Sequence, residues 1–357
     1  MLAMIITRYI SRQILQATLA ITLILLVVVA VGRLLNYLSK ASKGEVDPNL
    51  LMLVLAYRLP DFLQLIMPLA LLLGILLALG RLYADSEMTV LIAAGMRPLR
   101  LLGIIMLGTV LVTAVVALFS LQLAPWGSRK VSEMLEIQQH LSEFDLLQPG
   151  LFQNIAGGQR TTYVETLDDG VGKQVFMHDA ANNRVIKADS AVPVNEADGS
   201  RVVLFRHGTI TAGFNTETDY ALTQFDELGI RLPPRNLGII PDVEEKTLTT
   251  AQLLASVTPA HLAELQWRLS LILSVPILTL FAVPLARVSP RQGRYAKLVP
   301  GIAVYLLYLG ILLLSKNALT NSKLPVAVGL WWVHAVFLVL GWLMFTDKLP
   351  MLRGARV

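Results

Sequence analysis

The chain of 357 residues contains no cysteine, so neither a disulfide nor a thiolate metal site can hold it together. It has no G-x-x-x-x-G-K-[ST] run, and therefore no Walker A loop of its own to cradle ATP phosphates. G-x-S-x-G and H-E-x-x-H are missing too. Its five histidines (His140, His178, His207, His261 and His334) are scattered without ligand spacing and read as surface or packing residues. Charge is scarce: Asp, Glu, Lys and Arg together make up 15% of the residues. No catalytic residue, no metal ligand and no cofactor of its own is expected of this chain.

What fills the space is apolar. Hydrophobic residues account for 55% of the chain. Uncharged runs cover Gln13 to Gly32, Phe62 to Gly80, Leu101 to Ser128, Leu269 to Ala286, Leu298 to Ser315 and Leu324 to Thr346. Each is 18 residues or longer, enough for a helix rising ~1.5 Å per residue to cross ~30 Å of hydrocarbon. Six transmembrane helices are expected, three on either side of a polar block. The first reads as a retained span, not a cleaved signal: its apolar stretch is too long, and Arg33 and Asn36 stand where small residues would precede cleavage.

The formal net charge of +5 hides an asymmetry. Residues 129 to 268 hold 12 Lys/Arg and 19 Asp/Glu, whereas the remainder holds 18 and 6. The basic character lies in loops flanking spans, a poor match for nucleic-acid binding. Twelve cations fall on the N-terminus, the second loop, the loop after the fourth span and the C-terminus; six fall on the opposite short loops. The cytoplasmic side takes the cation-rich loops, which puts both termini inside and the acidic block outside. Carboxylates are nearly absent from the apolar runs, with Asp61 at the edge of one. A transporter driven by protons or ions keeps ionisable groups there, so the energy is expected to come from elsewhere.

Three textures follow one another in the polar block. Residues 129 to 147 keep helical spacing, with Val131, Met134 or Leu135, Gln138, Leu141 and Phe144 along one stripe. From 148 to 240 the period changes: Thr161–Val164, Gln174–Met177, Arg201–Phe205 and Tyr220–Phe225 are β-prone. Gly157-Gly158, Asp168-Asp169-Gly170, Asn182-Asn183 and Asp198-Gly199 separate them. This spacing predicts a β-sandwich or jelly roll. Thr258 followed by Pro259 then predicts a helix start leading into the fourth span. The expected domains are 1–147 (spans one to three), 148–246 (the β domain) and 247–357 (a connecting helix and spans four to six).

Between spans two and three lies Asp85-Ser86-Glu87-Met88-Thr89-Val90-Leu91-Ile92-Ala93-Ala94-Gly95-Met96-Arg97-Pro98. Ser86 is placed to cap a short helix, Glu87 puts an anion at its positive end, Gly95 suits C′, and Pro98 prevents continuation. On composition alone it is a capped connector.

These residues carry a resemblance. Ile5-Ile6-Thr7-Arg8-Tyr9, Gly80-Arg81-Leu82-Tyr83-Ala84-Asp85-Ser86-Glu87, Ala124-Pro125-Trp126-Gly127-Ser128-Arg129, Ala263-Glu264-Leu265-Gln266-Trp267-Arg268 and Pro290-Arg291-Gln292-Gly293-Arg294 look like motifs of the LptF/LptG permeases. Those proteins belong to the bacterial lipopolysaccharide exporter, an ABC transporter. The resemblance covers essentially the whole chain, and its first and last motifs lean toward the LptF branch. It implies six transmembrane helices with a periplasmic β-jelly-roll domain between helices 3 and 4, in the inner membrane of a Gram-negative bacterium. The implied partners are a paralogous LptG-like permease and two copies of an LptB-like ATPase, which binds ATP and Mg. A periplasmic bridge of LptC-like and then LptA-like jelly rolls, and lipopolysaccharide itself, complete the set.

By that resemblance the short helix is the coupling helix seated on the ATPase, with Glu87 facing it and Ser86, Leu91 and Gly95 shaping it. Arg33 falls at a family basic position at the outer end of the first span and is the leading substrate-phosphate contact, with Lys40, Arg129 and Lys316 at similar depth. Asn36 departs from a second family basic position. Two other readings keep the same architecture: a mechanical transmission protein moved by an ATPase without passing lipid, and a membrane-tethered β-domain scaffold.

Overall fold

The computed structural model describes residues 2–42, 50–140, 149–155, 160–168, 170–195, 201–213, 221–231, 244–287, 295 and 297–346. The chain divides into two compact units, Met1–Val31 with Tyr57–Lys130 and Asp242–Val357, and Gly32–Ala56 with Val131–Pro241. The expected helical extension at Leu141 and Phe144, and the motif at 290–294, lie outside the described residues.

The first unit is helical. Helix α1 (Leu2–Ser42) begins in it, followed by α2 (Leu51–Ala84), α3 (Glu87–Ala93) and α4 (Pro98–Leu118). A π turn over Phe119–Leu123 joins α4 to α5 (Ala124–His140) without interrupting the helix, an i→i+5 insertion of the kind found inside long helices. After the β strands come α6 (Glu244–Thr247), α7 (Thr250–Ala255), α8 (Pro259–Leu285), α9 (Leu298–Thr320) and α10 (Trp331–Phe345). Helix α8 is the axis of the unit, buried on nearly every face from Ala263 to Val283. Its Phe281 meets Phe337 of α10 at 5.9 Å between ring centroids, and Phe337 meets Tyr308 of α9 at 4.4 Å. By contrast α1 buries Ile10 and Ile14 and leaves Leu19, Leu23, Ile24, Val27 and Val28 exposed, an apolar surface suited to hydrocarbon and not to water.

Five helices are long and apolar enough to span a membrane: Ile5–Ala41, Leu51–Ala84, Pro98–Glu136, Pro259–Leu285 and Leu298–Thr320. The sixth expected run does not form one long helix. Its last part makes α10, 15 residues, and residues 321–330 fold as a turn. Two causes act there. Pro325 opposes a helix around it, and the Gln266 side chain of α8 donates to Val326 C=O at 2.9 Å and accepts from Leu330 N–H at 2.9 Å, pinning the segment. His334 proves a packing residue, buried and hydrogen-bonded to Tyr308 (2.5 Å) and Ser270 (2.8 Å).

The second unit holds six antiparallel strands in sequential order: β1 (Gln153–Ile155), β2 (Arg160–Asp168), β3 (Val171–Asp179), β4 (Arg184–Asn195), β5 (Arg201–Ala212) and β6 (Ala221–Arg231). All four expected β-prone stretches lie in strands, except Tyr220, which is outside the described residues. Among the described residues there is one sheet, not the two facing sheets of a sandwich or jelly roll. The reason is legible in its burial pattern. In β3 the buried positions run Gly172, then Val175 and Met177; in β4 they run Ile186 and Ala188, then Ala191. The alternation changes phase along a line through Gln174, Asp189 and His207, where ladder pairing skips and both Gln174 (φ 51°) and His207 (φ 50°) are left-handed. Such bulges bend strands and raise their twist. A creased sheet covers its own core of Val164, Val175, Ile186, Val203, Phe205 and Ile230.

Candidate functional site

Two features of the helical unit concern function, at opposite ends of the spans. The first is α3, between the end of α2 and the start of α4. Its C-terminus closes as expected: Gly95 is left-handed at φ 92°, Met96 N–H reaches Leu91 C=O at 3.0 Å, and Gly95 N–H reaches Ile92 C=O at 2.9 Å. This is the Schellman pairing, with Met96 and Leu91 both packed toward the helical core. The N-terminus differs from expectation. Ser86 is itself left-handed at φ 60° and makes no side-chain cap, because Asp85 and Ser86 form a tight turn straight out of α2. Only its carbonyl serves the helix, accepting from Val90 N–H at 3.3 Å.

Met88 is fully buried and Leu91 half-buried, so α3 is keyed into the bundle by one face. Val90 and Ile92 are the exposed apolar side chains on the other. Glu87 accepts a hydrogen bond from the Tyr9 hydroxyl of α1 at 3.0 Å, which orients the carboxylate. The first helix and the α3 element are thereby tied at a charged group.

The second feature is a cavity of about 180 Å³ between the start of α2, the π turn and α5, the start of α8 and the end of α9. Its polar lining includes Asp61, Gln64, Ser120, Ser128, Glu264, Arg268 and Lys316. Glu264 is 5% exposed and Arg268 2%. Arg268 Nε donates to Glu264 Oε1 at 3.2 Å, one turn apart on α8. Its terminal nitrogens donate to Thr250 Oγ1 (3.2 Å) and to the carbonyls of Glu245, Lys246 and Leu248 (3.0–3.3 Å), fixing the chain that enters α8. Lys316 Nζ lies 2.5 Å from Glu264 Oε2 and 5.2 Å from the ring centroid of Trp267. The Ser120 hydroxyl in the π turn donates to Arg268 C=O at 3.0 Å.

The five-residue family motif around Gly127 also has a structural account. A Cβ on Gly127 would run into the Tyr57 carbonyl, and Trp126 packs edge-on to Tyr57 at 5.2 Å. The motif lets α5 and α2 touch backbone to side chain beside the cavity.

Of the four expected substrate cations, Lys316 lines the cavity and Arg129 follows Ser128, which also lines it; the Arg129 Nε is buried with no hydrogen-bond partner among the described residues. Arg33 is exposed and Lys40 half-buried on the part of α1 that belongs to the second unit. Asn36 is exposed. Sequence reasoning missed the Glu264–Arg268 pair. Glu264 stands just outside the uncharged run yet inside α8, so a buried carboxylate is present where nearly none was expected. An acid and an arginine four apart, directly before an apolar run, was the available signal.

The fold and these sites define a multi-pass membrane-helical protein with an inserted antiparallel β unit. Comparison with known proteins narrows the class. Residues 8–347 match the lipopolysaccharide export system permease LptF/LptG family, and the chain belongs to that family. It is 32% identical to the lipopolysaccharide export system permease protein LptF of Escherichia coli K12, over 98% of this chain and 97% of that one. The protein of the same description from Shigella flexneri gives the same figures.

Proposed function

We propose that this chain is a permease subunit of an ABC transporter that extracts lipopolysaccharide from the inner membrane and passes it to a periplasmic bridge. Membership of the permease family along nearly the whole chain carries this reading. In it, α10 completes six spans, both termini are cytoplasmic and the β unit is periplasmic, in line with the cation bias of the short loops. The creased sheet is the described part of a jelly roll, and its open edges offer backbone groups for strand addition by an LptC-like partner and, beyond it, an LptA-like one. An LptG-like paralogue supplies the other half of the transmembrane path. Two LptB-like subunits bind ATP and Mg and hydrolyse the nucleotide, since the chain's own sequence has no Walker A loop.

Helix α3 is then the coupling element. Its buried face transmits force into the bundle, its exposed Val90 and Ile92 suit an apolar groove, and Glu87 pairs a basic residue of the ATPase, with Ser86 and Gly95 setting the element's ends. Arg33, Lys40, Arg129 and Lys316 take substrate phosphates. The test is Glu87→Lys in a reconstituted complex: insertion and assembly are retained, while lipid release per ATP falls at least tenfold, the size of ~1.5–3 kcal/mol for a charge-assisted contact. Normal lipid release would sink the coupling role.

A further inference from the structure

The two cations on Glu264 are not equivalent. Arg268 spends its donors on Glu264, Thr250 and three carbonyls, so it cannot turn away without stranding several acceptors. Lys316 has, among the described residues, only the Glu264 carboxylate and the face of Trp267. Its ammonium carries three donors on a flexible stem and stands on the cavity wall. A buried carboxylate stripped of all cations is strongly disfavoured. If Lys316 swings toward an anion in the cavity, however, Glu264 still has Arg268. The exchange therefore never leaves an unpaired buried charge.

The cavity fits such an exchange. Its volume of about 180 Å³ holds several waters or one tetrahedral oxyanion. Three cations (Lys246, Arg268, Lys316) face two carboxylates (Asp61, Glu264) in its lining. One positive charge is in excess, enough to admit an anion but not to trap it. We infer that Glu264 is a positioning residue that holds Lys316 in reserve: an entering phosphate oxyanion takes Lys316 from Glu264, and re-formation of the internal pair favours its release. The inference deepens the proposed function and rests on it only through Lys316.

The test uses the assembled, detergent-purified transporter and measures binding of lipopolysaccharide, of dephosphorylated lipopolysaccharide, and of inorganic phosphate as competitor. Glu264→Gln keeps the volume and an acceptor for Arg268 while removing the charge that holds Lys316. Glu264→Asp keeps the pair with Arg268 and shortens the reach to α9, and it carries the test if the Gln variant does not assemble. Both variants should tighten lipopolysaccharide binding about three- to tenfold, the scale of one partly exposed ion pair. Adding Lys316→Gln should erase that gain, and the dephosphorylated lipid should show none. Equal tightening for inorganic phosphate makes any oxyanion the occupant; tightening for lipopolysaccharide alone makes it the lipid headgroup. Either result supports the exchange. Unchanged or weaker binding in the Glu264 variants, with Lys316→Gln weakened, overturns the exchange and leaves the proposed function intact. If Lys316→Gln also binds like the parent, the assignment of Lys316 falls as well.

Discussion

Among the described residues two carboxylates are buried, one in each unit: Asp179 at 1% exposure and Glu264 at 5%. Each meets an arginine a few residues further along the chain. Asp179 accepts from Asn182 Nδ2 at 2.8 Å and from Arg184 at 3.0 and 3.1 Å, so all three groups close the turn between β3 and β4. Burial alone would push its carboxyl up, but hydrogen bonds from Asn182 and Arg184 and the charge of Arg160 outweigh it and hold the group below its ordinary 3.8. Glu264 adds a partner 52 residues away and borders open volume. The first is a lock and the second is a site. Burial of a charge does not separate them; long-range reach and adjoining space do.

The hardest blow to this contrast is Arg268→Met. It leaves Glu264 with Lys316 alone and strands the carbonyls entering α8, and should cost about 3–5 kcal/mol. Thermal unfolding of the purified full chain in detergent reads it; an unshifted transition would make Arg268 no more than a peripheral charge.

Asp179→Ala should cost about 2–3 kcal/mol, confined to the β3–β4 hairpin and visible as faster native-state hydrogen exchange of its amides. Because the folded carboxyl sits below its ordinary value, its stabilisation is full at neutral pH. It disappears as pH falls from about 4 through the lower folded value. Parent and variant should therefore converge in acid, once intrinsic exchange rates are removed. A gap that persists there would mean packing, not charge, closes the turn.

The smallest effect expected is Gly95→Ala. Nothing lies near an added Cβ, so only the left-handed φ of 92° opposes it. About 1 kcal/mol should be lost, read at the Met96 amide that closes α3.

Much of the architecture was legible because hydropathy is a local property. The runs at Phe62–Gly80, Leu101–Ser128, Leu269–Ala286 and Leu298–Ser315 all sit inside long helices. The run at Leu324–Thr346 misled, since its shortening depends on Gln266 reaching across from α8, which no window over 324–346 contains. Likewise β4 escaped notice because Lys187, Ala188 and Asp189 dilute its β-branched residues. Ser86 had the right identity for a cap, but the preceding tight turn decided its backbone. Glu264 was quoted within a motif without a role, for its second partner is separated by almost the whole of α8 and α9.

The π turn at Phe119–Leu123 makes the third span sensitive to chain length as well as to composition. Removing a single residue there would restore regular helix but rotate everything after it by about 100°. Ala124, Pro125 and Ser128 would leave the cavity lining and Gly127 would lose its seat against Tyr57. Substitutions in this stretch can drift while its length cannot, so one-residue deletions, tolerable in most of the surrounding loops, should be purged from α4–α5.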